Sequence, residues 1–326
     1  MPELERKRQP ALFEVFGWRV DLGDRDTLAD IAGTLAAQPL PATWRGHPER
    51  HELSIMAVGA HAIALASTGF ARRPANWVRK LQAAHTALNP ALEAHGAILL
   101  PGPSPVAAWS TDEVHPEPHR AGLRIDLPFA RESDFARLHA AVRILLPLLP
   151  ALSAATPIRD GRSTDLHSAR LHACLGLYDR HPARVGGFIP EPVFDPADHD
   201  RVALGPIAQE LAASGAVDSV DAQELNLRAA TTSFNPNLLR IHAIDAQENP
   251  AADMAVAEFT IAVLRALVAG RWSSTYLQRA WSTDDLMAVM LGTIRDGCRA
   301  VIAHRDYLFM LGLLKQERAT GTELIK

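Results

Sequence analysis

The chain has 326 residues, 48% of them hydrophobic, and its 33 Lys and Arg against 37 Asp and Glu give a formal net charge of -4. A chain of this length can bury a sizeable core and sets a soft expectation of about two domains. With no excess of Lys and Arg to displace counterions from a phosphate backbone, nucleic acid is not expected as a partner.

The two cysteines, Cys174 and Cys298, lie far apart and fit no metal-finger or redox-pair spacing. Both are expected as buried small hydrophobes in a reducing, cytoplasmic setting. The most apolar stretch, Ile144 to Ile158, is interrupted by Pro147, Pro150 and Pro157. It falls short of the ~20 residues a membrane span needs. The charged N-terminus has no apolar signal region, so neither membrane insertion nor secretion is expected.

In chain order, Leu12 to Leu22 mixes alternation with aromatic and β-branched residues and predicts a strand, followed by a turn at Asp24 to Thr27 into a short helix. Ser54 to Ser67, apolar and free of proline, predicts a buried strand or a pair of strands. From Pro74 a helix is expected, with Val78, Leu81, His85, Leu88 and Leu92 on the 3.6-residue period until Gly96 stops it. Pro101, Pro103, Pro105, Pro116 and Pro118 exclude helix and central strand alike, so 101–120 is read as an irregular loop.

Leu123 to Leu127 then alternates, with Arg124 and Asp126 on one face and aliphatic residues on the other. Ser133 or Asp134 is expected to cap the most regular helix, whose stripe is Phe135, Leu138, Val142, Leu145, Leu146 and Leu149 and which Pro147 should kink. Strand-like runs at Leu225 to Phe234 and Leu238 to Asp245 flank a turn at Asn235-Pro236-Asn237. Asp253 to Leu267 and Asp284 to Ile302 predict two closing helices, the second opened by Ser282 to Asp285. Mixing without strict alternation favours α+β over a doubly wound sheet.

Phosphate-loop, dinucleotide-binding and nucleophile-elbow motifs are all absent from the sequence. Among the 14 histidines, His47/His51 and His115/His119 have the spacing of helix-borne metal ligands, but neighbouring prolines make surface histidines the preferred reading. Asp195, Asp198 and Asp200 form an acidic cluster whose expected role is helix capping at Asp195-Pro196. Trp272 and Trp281 are read as packing aromatics before binding ones.

The informative blocks are Leu127-Pro128-Phe129-Ala130, Leu138 to Leu152, Gly187-Phe188-Ile189-Pro190-Glu191-Pro192-Val193-Phe194, Leu225-Asn226-Leu227-Arg228-Ala229, and Ile244-Asp245-Ala246-Gln247-Glu248-Asn249-Pro250. In this order they resemble the bacterial carboxylate-amine ligases related to glutamate–cysteine ligase. The resemblance spans roughly Phe13 to Trp272. It implies a single glutamine-synthetase-like domain over 1–326, whose curved, mainly antiparallel sheet lines a funnel for Mg-ATP and an amino acid. Members join a carboxylate to an amine through an acyl-phosphate. Acidic residues are expected on such a sheet, because Mg²⁺ takes oxygen ligands while it bridges phosphates.

The chain departs from the family pattern at those positions. Where the family reads Gly-x-Glu-x-Glu, this sequence has Gly17-Trp18-Arg19-Val20-Asp21, and where a second carboxylate is usual it has Ala64. Arg124 stands for a histidine, and Arg240-Ile241-His242 stands for Glu-Ile-Arg. A guanidinium cannot ligate a metal. The resemblance therefore implies a degenerate member with no cofactor and no metal of its own, in which Arg–Asp pairs built on Asp21 and Asp126 replace the metal-bound face. Arg170, Asn226 and Arg228 match family blocks and remain candidates for holding an anion or amino acid; Asp245 and Glu248 are read as structural.

The leading reading is a non-catalytic subunit or regulator in a homo- or hetero-oligomer, with an active ligase relative as the partner. The alternative is an active ATP-dependent, amide-forming ligase with relocated ligands, which would require Mg-ATP. The helices Phe135 to Leu152 and Asp284 to Ile302 are the expected contact surfaces.

Overall fold

The computed structural model describes residues 12–13, 17–22, 53–58, 62–67, 73–93, 122–159, 162–214 and 221–325, with the backbone path alone for 17–22, 53–58 and most of 62–67. The expected turn and short helix after Asp24, the irregular loop at 101–120 and both histidine pairs lie outside the described residues.

One six-stranded sheet organises the fold. Its strands are β1 (Gly17–Leu22), β2 (Leu53–Val58), β3 (Ala62–Ser67), β4 (Leu123–Pro128), β5 (Ala230–Phe234) and β6 (Asn237–Ile244). The order is β2-β3-β1-β4-β6-β5, and every neighbour pair is antiparallel. The apolar run from Ser54 to Ser67 therefore resolves into two strands paired with each other. Leu225 to Ala229, by contrast, is not strand: β5 begins at Ala230.

The alternation in β4 has the expected consequence. Leu123, Ile125 and Leu127 are fully buried with Leu239 and Ile241 of β6 in the main core, while Arg124 on the opposite face keeps partial contact with solvent. Antiparallel sheets commonly pack one face and leave the other polar.

Helices supply the packed side. A 3₁₀ turn at Pro74–Trp77 leads into α1 (Val78–Glu93), which buries Leu81, Ala84 and Leu88. The next helix, α2 (Glu132–Leu145), has Arg131 at its N-cap with no side-chain cap bond, not Ser133 or Asp134 as the spacing predicts. Asp134 instead takes ion pairs from Arg131 at 3.1 Å and Arg137 at 2.7 Å. Pro147, which lacks an amide hydrogen, breaks the helix into a 3₁₀ turn at Leu146–Leu148 and a short α3 (Leu149–Ser153).

The stretch Glu132–Ser153 is long and apolar enough to pass for a membrane span, yet 78% of its apolar window is buried inside the fold. Phe135, Leu138, Ala141, Val142, Leu145, Leu146 and Leu149 are all in the core. Burying each large aliphatic or aromatic side chain there contributes about 1.5–3 kcal/mol. The expected contact surface on this helix is thus corrected: its faces are consumed by the chain's own packing, including that against the later helix α6.

Ser168 caps α4 (Ala169–Leu175), and Asp195 caps a turn at Pro196–His199 by accepting from the amides of Ala197 and Asp198, as the acidic cluster suggests. After α5 (Gly205–Ser214), α6 (Pro250–Val268) starts three residues earlier than its apolar pattern because Asn249 accepts from the amides of Ala251 and Ala252. A single turn, α7 (Thr275–Arg279), precedes α8 (Thr283–Asp296), whose N-cap is Ser282.

The expected extension of α8 to Ile302 fails at Gly297. That residue has φ +55°, and an added Cβ would stand 2.9 Å from the His167 ring. A 3₁₀ turn and a short strand at Val301–Ile302 follow, then α9 (Arg305–Met310). Cys174 is buried, which pushes its thiol up to about 12, whereas Cys298 is exposed, against expectation.

Candidate functional site

The sheet register puts the unusual positions together. Arg124 of β4 pairs with Arg19 of β1, Asp126 with Arg240 of β6, Arg240 with Thr231 of β5, Arg19 with Ala66 and Asp21 with Ala64 of β3. Directly opposed residues of antiparallel strands share a face. Arg19, Asp21, Ala64, Arg124, Asp126 and Arg240 therefore occupy register positions on the sheet face opposite Ile125 and Ile241.

On that face, Arg124 donates from Nε and Nη2 to both carboxylate oxygens of Asp126, each at 2.8 Å. This is the planar fork-to-carboxylate geometry that makes such pairs strong and directional. The pair keeps some solvent contact, with side chains 29% and 12% exposed.

Arg240 is half-buried. Burial lowers its pKa, the Asp126 carboxylate opposes that shift, and the Arg124 guanidinium adds to it. A register shift between Leu123 and Ile125 leaves β6 one residue longer than β4 here, a bulge of the kind that re-aims side chains. His242 lies at this bulge, with Nε2 3.0 Å from the Thr231 hydroxyl. Among the described residues no group of three or more His, Cys, Asp or Glu is placed to hold a metal ion.

Arg170 does not join this face. Its side chain is fully buried, donating from Nε to Asp245 Oδ1 at 2.7 Å and from Nη2 to the His242 carbonyl at 3.2 Å. The other oxygen of Asp245 accepts from the Ala155 amide and the hydroxyls of Thr156 and Ser168 at 2.9–3.0 Å. The carboxylate thus ties the segment after α3, the start of α4 and the end of β6 to one point.

Asn226 and Arg228 form a third, separate cluster on the irregular segment before β5, and both are buried. The Arg228 guanidinium donates from Nε and Nη2 to the two oxygens of Glu191 at 2.7 Å. Asn226 Oδ1 accepts from the Arg228 amide at 3.2 Å and from Nη1 at 3.1 Å. Gly186, with φ +52°, lies so close over this guanidinium that a Cβ would run into it. Alongside, His139 Nε2 donates to the Glu191 carbonyl at 2.9 Å and Arg143 Nε donates to the Pro190 carbonyl at 2.7 Å. Burial holds His139 down at about 3 and Arg143 at about 10, so at neutral pH the imidazole is uncharged and the guanidinium charged.

The candidate residues thus divide into a sheet-face set and two buried ion-pair clusters. Sequence reasoning missed Glu191 as the partner of Arg228 and Thr231 as the partner of His242. The first stood inside a recognised block, but 37 residues separate it from Arg228 and no local pattern joins them.

Comparison with known proteins adds the following. The model of glutamate-cysteine ligase family 2 matches residues 110–312. A protein of Archaeoglobus fulgidus described as uncharacterized is 30% identical over 143 residues, 44% of this chain and 38% of that protein. The crystal structure of a bifunctional glutathione synthetase from Pasteurella multocida superposes with a TM-score of 0.52 at 12% identity, covering 96% of this chain and 46% of that one. The chain spans less than half the length of either relative.

Proposed function

Because this chain belongs to glutamate-cysteine ligase family 2, we propose that it is a member without the family's metal–ATP chemistry, acting as a non-catalytic subunit or regulator of an active relative. The observation that carries this reading is the bidentate Arg124–Asp126 pair on the sheet face, with Arg240 opposite it. Mg²⁺ demands a near-octahedral shell of oxygens and uses carboxylates as its protein ligands. The carboxylate described on this face has both oxygens engaged by a guanidinium, and the neighbouring Arg240 offers donors alone. Such a donor set does not fit the metal, and no phosphoryl-transfer step is derived through it.

In this reading the sheet keeps the family's funnel as a frame, and the Arg–Asp pair substitutes for the electrostatic tie that a metal would provide. Isothermal titration with Mg-ATP is the test. The expected result is no binding that depends on Mg²⁺, the isotherm being the same with the metal and with EDTA. ADP release in the presence of any amino-acid pair, or metal-dependent binding in the low-micromolar range, would establish the active ligase instead.

A further inference from the structure

We propose that the sheet face at Arg240 is a metal-independent receptor for a small oxyanion, a carboxylate or phosphoryl group held by the Arg240 guanidinium beside the Arg124–Asp126 pair. The inference deepens the non-catalytic reading and rests on it: the face has changed the sign of the charge it takes, from a cation to an anion.

The first argument is charge. Asp126 is neutralised by Arg124 through two hydrogen bonds, so among the described side chains of this face the guanidinium of Arg240 across the ladder is an excess positive charge. The second is satisfaction. Arg124, Arg137, Arg143, Arg170, Arg184 and Arg228, the other arginines that the described residues bury or half-bury, each hold a carboxylate or carbonyl oxygen. Arg240 holds neither a hydrogen bond nor an ion pair among the described residues. A guanidinium carries five N–H donors, and removing it partly from water without replacing its partners is costly.

The third argument is geometry. Arg240 lies on β6, an interior strand of the sheet, between β4 and β5, so its backbone is fixed by ladders on both sides. Arg124 gives Nε and Nη2 to Asp126, and its Nη1 takes no partner among the described residues. Two planar guanidinium groups with spare donors therefore stand on neighbouring strands of one sheet face. Planar bidentate recognition is what suits a guanidinium to carboxylate and phosphate oxygens.

The experiment is calorimetric titration of the full-length chain in EDTA, with inorganic phosphate as one probe and succinate as the other. Saturable binding of one of them is expected, and which one binds tells a phosphoryl from a carboxylate ligand. Arg240→Gln should weaken that binding at least tenfold, Arg240→Lys should retain part of it, and neither should move the urea midpoint by more than a few tenths molar. Adding Mg²⁺ should not strengthen it.

Binding that is unchanged in Arg240→Gln, or absent for both probes, overturns the receptor and leaves the non-catalytic reading standing. Binding that appears with Mg²⁺ alone overturns both.

Discussion

Replacing Asp245 by alanine is expected to cost about 3–5 kcal/mol of folding free energy, the range for removing one member of a buried ion pair. The reason is what would remain: the Arg170 guanidinium, fully buried, would lose its carboxylate and keep one carbonyl contact from Nη2. The Ala155 amide and the hydroxyls of Thr156 and Ser168 would lose their shared acceptor at the same time. Against a total stability of about 5–15 kcal/mol the variant should be sharply destabilised. A double variant, Arg170→Met with Asp245→Leu, should recover part of the loss, since an apolar pair of similar volume removes the orphaned charge. Urea unfolding of the purified variants measures this. A single variant within about 1 kcal/mol of the parent, the size of an ordinary point mutation, would mean that the pair does not anchor the fold.

This pair also shows where reading from sequence succeeds and where it stops. The polar face of β4 was legible because Arg124 and Asp126 are two residues apart, and a strand's period alone places them together. The break at Pro147 and the cap at Asp195 were legible for the same reason: each depends on a residue's own covalent chemistry within one helical turn. Arg170 and Arg228 were not. Their carboxylates lie 75 and 37 residues away, so a buried structural cation and a ligand-binding one look identical along the chain.

Two other departures had signals that apolar periodicity outweighed. Gly297 ends α8 with its positive φ, although the apolar pattern continues to Ile302. The helix α2 starts at Glu132, before Ser133 and Asp134, and the Asp134 carboxylate accepts from Arg131 and Arg137 where a cap was expected. The family blocks told more than periodicity could, since they carry the Glu191–Arg228 and Asp245 clusters as units. They do not say that these clusters are closed by packing, which is a property of the assembled fold.

Acid stability should expose two buried groups that titrate in opposite senses. Asp253, in the first turns of α6, is buried and accepts from the Gln247 amide at 2.8 Å; burial pushes its carboxyl up to about 7 from 3.8. Between those values the folded protein binds a proton that the unfolded chain does not, so this group adds stability as pH falls from 7 towards 4 and withdraws it as pH rises. His139 does the reverse. Burial lowers it to about 3 from 6.5, so below 6.5 the unfolded chain takes the proton and stability falls. Burial lowers His85 and His199 as well, which adds to the acid-side loss.

Asp253 therefore offsets one histidine across the window where they overlap. Asp253→Asn keeps an oxygen for the Gln247 amide and removes the titration. Its stability between pH 4.5 and 6.5 should fall on acidification more steeply than the parent's by about 1.4 kcal/mol per pH unit, one proton's worth. Above pH 7, where the parent carries a buried carboxylate, the variant should be the more stable of the two. His139→Gln, which can still donate to the Glu191 carbonyl, should shift the slope the opposite way. Urea midpoints at pH 4.5, 5.5, 6.5 and 7.5 decide the matter: parallel curves for parent and Asp253→Asn would show that this carboxyl is already ionised across the range and that its burial carries no linkage.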